Sequence, residues 1–248
     1  MKKINDIEYH DIKEIAEIFH NRINQDEIRN YFESGKIKGK KIDNDWYSDE
    51  IGIKSFIEIL KEERAFTIGP LEIDLSNIRM EGRILDIGGG GEGVIGQFKG
   101  KQVVSIDYSK SELEEAPDNE ALKIIMDAND LKFLDDTFDT ITAFYSVMYI
   151  PINDHKRVLQ EIYRVLKPGG DFLLWDLTIP ERSIEEKDII FVIMNVKFKD
   201  KILDTGYGVK WDKIQDANHF IDLGKVVGFE VLEQQEEKNI FYIKFRKR

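Results

Sequence analysis

Apolar residues recur at helical spacing from Asp11 to Phe19, where Ile12, Ile15, Ala16, Ile18 and Phe19 share a face, and again at Ile28, Tyr31 and Phe32. A polar stretch from Asn21 to Gln25 separates the two predicted helices, and Ser34-Gly35 stops the second. Lys36 to Ile42 then predicts a strand, Asp43-Asn44-Asp45 a turn, Trp46-Tyr47 the return strand, and Ser48 to Glu63 a third helix. Beyond Pro70 the pattern changes. Strands are predicted at Arg83–Ile87, Gln102–Asp107, Leu122–Met126, Thr140–Ser146 and Asp171–Asp176, with a glycine cluster after the first and a helix at Asp154–Leu166 that runs into Lys167-Pro168-Gly169-Gly170. A helix near Asp212–Val227 and strands at Phe229–Gln234 and Ile240–Phe245 close the chain.

Strands alternating with helices imply a parallel sheet covered on both faces. The last two strands are joined by a polar turn and must pair antiparallel, because a parallel pair needs a crossover. Between Ile179 and Trp211 lie two extra β-like runs around Lys199-Asp200-Lys201. They follow the fifth strand of the series and therefore either cap a pocket at the carboxyl edge of the sheet or form a surface hairpin that only packs. The order helix, helix, hairpin, helix at the start is that of a winged helix-turn-helix.

Composition narrows the classes. The 248 residues, 42% hydrophobic and 34% charged, suffice for one large core and a small second one. A formal charge of −12 disfavours broad capture of nucleic acid or anionic membrane. No run of about 18 apolar residues occurs, and Met1-Lys2-Lys3 leads into charged positions, so a cytoplasmic protein with no membrane partner is expected. The absence of cysteine removes disulfides, thiolate metal sites and cysteine nucleophiles. His10, His20, His155 and His219 lack the spacing of a helical metal site, so no structural metal is expected.

The candidate chemistry starts at Asp86-Ile87-Gly88-Gly89-Gly90-Gly91, where a strand must turn sharply into a helix and leave its backbone open to a ligand. Gly88, Gly90 and Gly93 satisfy G-x-G-x-x-G, which by itself does not tell one nucleotide ligand from another. Asp86, two residues before the first glycine, would repel a phosphate and welcome an ammonium group or ordered water; it would otherwise cap the loop's own amides. Asp107 ends the second strand, where a carboxylate accepts from both hydroxyls of a ribose. A nucleoside without phosphates satisfies both acids.

The segment GRILDIGGGGEGVIGQFKGKQVVSIDYSKSELEEA resembles the first two cofactor motifs of class I S-adenosylmethionine-dependent methyltransferases, of the small-molecule, methyltransferase type 11-like group. IIMDANDLKFLDDTFDTITAFYSVMYI and VLQEIYRVLKPGGDFLLWDL extend the match over about residues 80–178. The resemblance implies an α/β fold: a Rossmann-like, seven-stranded, mostly parallel sheet with an antiparallel last strand. It implies S-adenosylmethionine as cofactor and S-adenosylhomocysteine as product. It sets Gly88 and Gly90 against the methionine part, Asp107 on the ribose, Tyr108 beside the adenine, Asp127 on the adenine amino group with Ala128 close by, and Tyr145 with Ser146 beneath the sulfonium. Asp127 is alternatively an N-cap for the turn that follows it. Glu92 departs from the family pattern, standing where its third loop glycine usually falls, and leaves the start of the next helix open.

IKEIAEIFHNRINQDEIRNYFESGKIKGKKIDNDWYSDEIGIKSFIEIL, within residues 9–62, resembles small excisionase-type winged helix-turn-helix modules. The expected domains are therefore a winged helix-turn-helix-like module at 1–64 and an S-adenosylmethionine-binding methyltransferase domain at 65–248, with a β-hairpin insertion at about 180–211. Asp139 is expected to serve the start of the fourth strand, and Pro168-Gly169-Gly170 to be a turn.

Methyl transfer from a sulfonium is an in-line displacement on an activated carbon, so alignment and water exclusion matter most. Tyr149, His155 and Asp176 are candidate bases, with His155 read as a surface residue opening the following helix; no catalytic residue is assigned. Phe144-Tyr145-Ser146-Val147-Met148 lacks the Asp/Asn-Pro-Pro-aromatic motif of exocyclic-amine methylation. Without cysteine, C5 attack through a cysteine adduct and thiol-based arsenite methylation are excluded. A small-molecule acceptor is the expected partner. DNA, bound through residues 9–62, is the alternative, the domain then sensing the cofactor or methylating a target on nucleic acid. Lys36, Lys38, Lys40 and Lys41 form a basic wing that favours it, but Asp26, Glu27 and Glu33 on the second helix oppose it, and residues 1–64 carry twelve Lys and Arg against fifteen Asp and Glu, a net −3.

Overall fold

A computed structural model of the chain describes residues 2–19, 23–184 and 187–248; His20 and the beginning of the polar stretch at Asn21 lie outside them. The chain divides into two compact units, Met1–Thr67 with Ile184–Phe191, and Ile68–Ser183 with Val192–Arg248.

The first unit contains β1 (Lys2–Ile4), β2 (Ile7–Asp11), α1 (Ile12–Ile18), α2 (Gln25–Glu33), β3 (Lys40–Ile42), β4 (Asp45–Asp49) and α3 (Glu50–Arg64). Its strands form an antiparallel sheet in the order β1-β2-β4-β3. Two helices start on reciprocal caps. The Asp11 carboxylate accepts from Glu14 N at 2.8 Å while the Glu14 carboxylate accepts from Asp11 N at 3.0 Å, and Asn24 and Glu27 repeat the device. Ile15, Ile28, Phe32 and Phe56 form the buried centre. The strand expected at Lys36–Ile42 is reduced to its last three residues, because the amides of Lys36 and Ile37 both donate to Tyr31 O, at 2.9 and 3.2 Å, and so leave no ladder to join. The hairpin β1–β2, turning at Asn5-Asp6 with both residues at positive φ, was too short and polar to predict.

The second unit carries β5 (Ala65–Asp74), which begins in the first, then β6 (Ile84–Ile87), α4 (Val94–Lys99), β7 (Val103–Asp107), α5 (Lys110–Glu115), β8 (Leu122–Ile125), β9 (Phe138–Phe144), α6 (His155–Val165) and β10 (Leu166–Leu177). It continues through β11 (Ile189–Phe198), β12 (Lys201–Lys210), α7 (Ala217–Val227), β13 (Phe229–Glu237) and β14 (Ile240–Lys247). Seven strands form one sheet in the order β13-β14-β10-β9-β6-β7-β8. Every pair from β10 to β8 is parallel, and β14 runs against both neighbours. The buried run Ile84-Leu85-Asp86-Ile87 suits a central strand covered on both faces. From β6 the chain winds outward through β7 and β8, then returns to β9 on the other side. This reversal opens a crevice at the carboxyl ends of β6 and β9, the position where open α/β sheets take ligands.

The starts of β10 and α7 and the place of the extra β-like runs differ from expectation. Strand β10 starts at Leu166, not Asp171: Leu166 pairs with Phe138, and Lys167-Pro168-Gly169-Gly170 is an irregularity inside the strand rather than a turn before it. Helix α7 starts at Ala217, because Gln215 is held extended by two backbone bonds to Ile179 and the Asp216 carboxylate caps His219 N at 2.8 Å. The extra β-like runs are β11 and β12, which with β5 make a three-stranded sheet in the order β12-β11-β5. Val192, Met194, Val196 and Phe198 alternate into its buried face, so the hairpin is integral to a sheet rather than laid on the surface.

Candidate active site

The eight residues expected at the cofactor come together at the carboxyl ends of β6, β7, β8 and β9. Asp86, inside β6, is 2% exposed and accepts from Thr142 Oγ1 at 2.7 Å. Burial pushes its carboxyl up to about 7, the Thr142 bond holding it down somewhat and the Asp107 charge adding to the rise. Asp86 does not cap the loop amides: Gly89 N goes to Ile106 O, Gly91 N to Glu112 O and Gly93 N to Gly90 O.

Gly88 follows β6 against the Ser146 side chain, whose hydroxyl donates to Ile87 O at 2.6 Å. A Cβ on Gly90 would stand 2.5 Å from Glu112 Cβ on α5 and 2.8 Å from Asp107 Oδ2, so only glycine lets the loop pass this close to α5 and the end of β7. Gly93 adopts a left-handed φ of 55° as the N-terminal cap of α4, which starts at Val94. The loop thus extends through Glu92, and the helix starts after Gly93.

Asp107 also accepts from Ser109 N at 2.8 Å, fixing its carboxylate at the strand end. Tyr108 projects into solvent, 82% exposed. Met126 N donates to Asp107 O, which draws the residues after β8 alongside β7. There Asp127 accepts from Asn129 N at 2.8 Å, so it does cap a turn, though not a helix, and Ala128 packs on the core. Tyr145, just past β9, has φ 50° and is 1% exposed, its N donating to Trp175 O at 2.9 Å. Its hydroxyl is buried without a hydrogen-bond partner.

The candidate bases divide. Tyr149 is 40% exposed. His155 opens α6 as expected but is buried, not on the surface: its Nε2 donates to Ile150 O at 3.0 Å and its Nδ1 meets His219 Nε2 at 2.9 Å. The apolar packing between α6 and α7 imposes that burial, which lowers His155 to about 4 and keeps it neutral. Asp176 is fully buried and pushed up to about 7, chiefly by burial, yet its oxygens are engaged by Met148 N, Leu177 N and Gln215 Nε2. It clamps the turn after β9 to the end of β10. Asp139 ties down the start of β9 by accepting from Arg83 N at 2.9 Å and Lys167 Nζ at 2.6 Å.

Two site residues went unforeseen, Tyr207 on β12 and Gln215 beside Asp176. The flanking Gly206 and Gly208 around Tyr207 are the only sequence signal, and they lie outside every motif quoted above. Among the described residues no group of three or more His, Asp or Glu is placed to hold a metal ion, and no helix is long and apolar enough to cross a membrane.

This fold is the Rossmann-like α/β methyltransferase fold: a mostly parallel sheet with one antiparallel strand near its edge, a glycine loop after the first central strand and an acid at the end of the next. Residues 85–174 match the family model described as a methyltransferase domain. The chain is 41% identical over 87 residues to the ubiquinone/menaquinone biosynthesis C-methyltransferase UbiE of Desulfotalea psychrophila, covering 34% of this chain and 35% of that one. It is 38% identical over 96 residues to a chloroplastic 2-methyl-6-phytyl-1,4-hydroquinone methyltransferase of Oryza sativa, covering 36% and 27%. The chain therefore spans about a third of the length of these curated relatives. A crystal structure of a Pyrococcus horikoshii protein superposes with a TM-score of 0.53 at 18% identity, covering 70% of this chain and 85% of that one.

Proposed function

We propose that the chain transfers the methyl group of S-adenosylmethionine to a small-molecule acceptor. The observation that carries this reading is the juxtaposition of Asp107 with Gly90, a carboxylate at a strand end facing a bare loop backbone. The donor set fits the cofactor. Asp107 would accept from the ribose hydroxyls, Gly88 and Gly90 would face the methionine part, and buried Asp86 would meet its ammonium group. Tyr108 and Asp127, with Ala128, would flank the adenine, and the buried Tyr145 hydroxyl, which has no partner, would meet the ligand. A phosphate would meet Asp86 and Asp107 instead, which disfavours a dinucleotide.

When bound, the cofactor supplies an activated methyl group on a cationic sulfur. The chain's part is to align and to dry the site. The turn after β9 is held by Ser146 on Ile87, by Asp176 on Met148 N, and by His155 and Lys213 on Ile150 O. The names of the relatives, a quinone-pathway enzyme and a hydroquinone enzyme, support an acceptor built on a ring. The sequence has no cysteine to form a covalent adduct, and no catalytic base is assigned.

Residues 1–64 are read as a winged helix-turn-helix-like module that supports the enzyme rather than captures DNA, with residues 65–248 as the methyltransferase domain. The hairpin β3–β4 after two helices supports the resemblance. Three of the four wing lysines are engaged within the module: Lys36 pairs with Glu63 at 2.7 Å, while Lys40 lies 3.7 Å from the Tyr9 ring centroid and Lys41 5.0 Å from that of Trp46. Supplying methyl-labelled S-adenosylmethionine with fractionated small-molecule extracts should move label into a low-molecular-weight product. Labelling of nucleic acid alone would overturn the acceptor class.

A further inference from the structure

Strand β12 is outside the α/β series, yet its Tyr207 stacks on Tyr145, just past β9. Its ring lies parallel to that of Tyr145, the planes 4° apart and the centroids 5.6 Å apart. Burial pushes its hydroxyl well above the ordinary tyrosine range, and the charges of Glu92, Tyr149 and Asp86 add to the rise. Tyr207 therefore stacks on the turn after β9 and lies within electrostatic reach of the glycine loop.

The hairpin is fastened where it needs to be rigid. Phe198 packs on Phe98 of α4 with centroids 5.7 Å apart, and the Lys201 ammonium donates to Gln97 Oε1 on the same helix. Gln97 donates in turn to Glu92 O at 2.5 Å, so hairpin, helix and glycine loop are linked in series. At the base, Trp211 Nε1 donates to Pro180 O at 2.8 Å. Tyr207 is held between these two anchors.

What gathers around Tyr207 has one electrical character. Asp86 and Glu92 are acids, the two stacked rings present electron-rich faces, and the Tyr145 hydroxyl has no partner. The groups influencing Asp86 are Thr142 and Asp107, neither of them cationic. Such a wall attracts a compact, poorly hydrated cation.

We propose that Tyr207, supplied by the insertion and stacked on Tyr145, recognises the positive charge of the cofactor's sulfonium, so that this chain binds S-adenosylmethionine in preference to S-adenosylhomocysteine. The inference rests on the cofactor reading above. The two ligands differ by one methyl group and one positive charge, and an aromatic face strengthens binding of the charged one only. Discharge of the cation would then loosen the product, which helps turnover.

Calorimetric titration of the full chain with each ligand tests this. Replacing Tyr207 by Leu, or by Met, which keeps the volume without the ring, should weaken S-adenosylmethionine by about five- to thirtyfold while changing S-adenosylhomocysteine by less than about twofold. Tyr207→Phe should keep the wild-type ratio. An equal loss for both ligands, or no loss in either non-aromatic variant, would overturn the role of Tyr207 while leaving the cofactor reading intact. Failure of the wild-type chain to bind either ligand would overturn the cofactor reading itself, and the inference with it.

Discussion

Asp86 and Thr142 face one another across β6 and β9 as paired residues of the parallel ladder, and the Thr142 hydroxyl donates to the carboxylate at 2.7 Å. That bond compensates part of the cost of burying an acid at the centre of the sheet; the remainder leaves the carboxyl at about 7.

The sign of the resulting pH dependence follows from the shift. The folded carboxyl is raised to about 7 from an ordinary 3.8, so the folded state holds a proton that the unfolded chain has already released. Its contribution to stability is full below about pH 4 and is lost as pH rises through about 7. Compared with wild type, Asp86→Asn should show a flatter or more favourable change in urea-unfolding free energy between pH 4 and 7.5. Superimposable pH profiles would contradict the burial argument.

Cofactor binding inverts the same linkage. An ammonium group placed beside Asp86 favours the carboxylate, so binding at pH 6.5 should expel part of a proton. Titrations with S-adenosylmethionine in two buffers of different ionisation enthalpy should therefore give different heats. The difference should shrink in Asp86→Asn, and buffer-independent heats in the wild type would place the ammonium elsewhere.

The anchoring of the insertion is testable by packing alone. Phe198 is 2% exposed and meets Phe98. Phe198→Ala should cost about 3–5 kcal/mol in chemical denaturation, as buried aromatic truncations do. A loss below about 1 kcal/mol would mean that the hairpin tip is not part of the core.

The sequence carried the central sheet well, because buried strands such as Ile84–Ile87 and Phe138–Phe144 read as apolar runs punctuated by glycine, acid or proline. The residues proposed for the cofactor are legible as a pattern because Asp107 and the glycines occupy fixed offsets from those runs. What it missed depends on long-range partners. Strand β5 is ordinary until β11 pairs with it. His155 looks like a surface helix start until α7 brings His219 against it. Tyr207 carries only its flanking glycines as a local mark, and its stacking partner Tyr145 lies 62 positions earlier in the sequence. Glu92 departs from the family pattern, and Gly93 accommodates it with a left-handed φ at the cap of α4, leaving the Glu92 charge within electrostatic reach of Tyr207.

The first unit gives a negative prediction. Lys36, Lys40 and Lys41 of the wing are committed to Glu63, Tyr9 and Trp46, and residues 1–64 are net acidic. The full chain should give no electrophoretic shift of duplex DNA at low ionic strength. A salt-sensitive shift would revive the DNA-binding alternative.

The most direct test of the whole account is calorimetry of S-adenosylmethionine binding to the wild-type chain and to Asp107→Ala. The wild type should bind, and the variant should lose about a hundredfold in affinity, the effect of removing a carboxylate that accepts two charge-assisted hydrogen bonds. Equal binding by the two proteins, or no binding by the wild type, would contradict it.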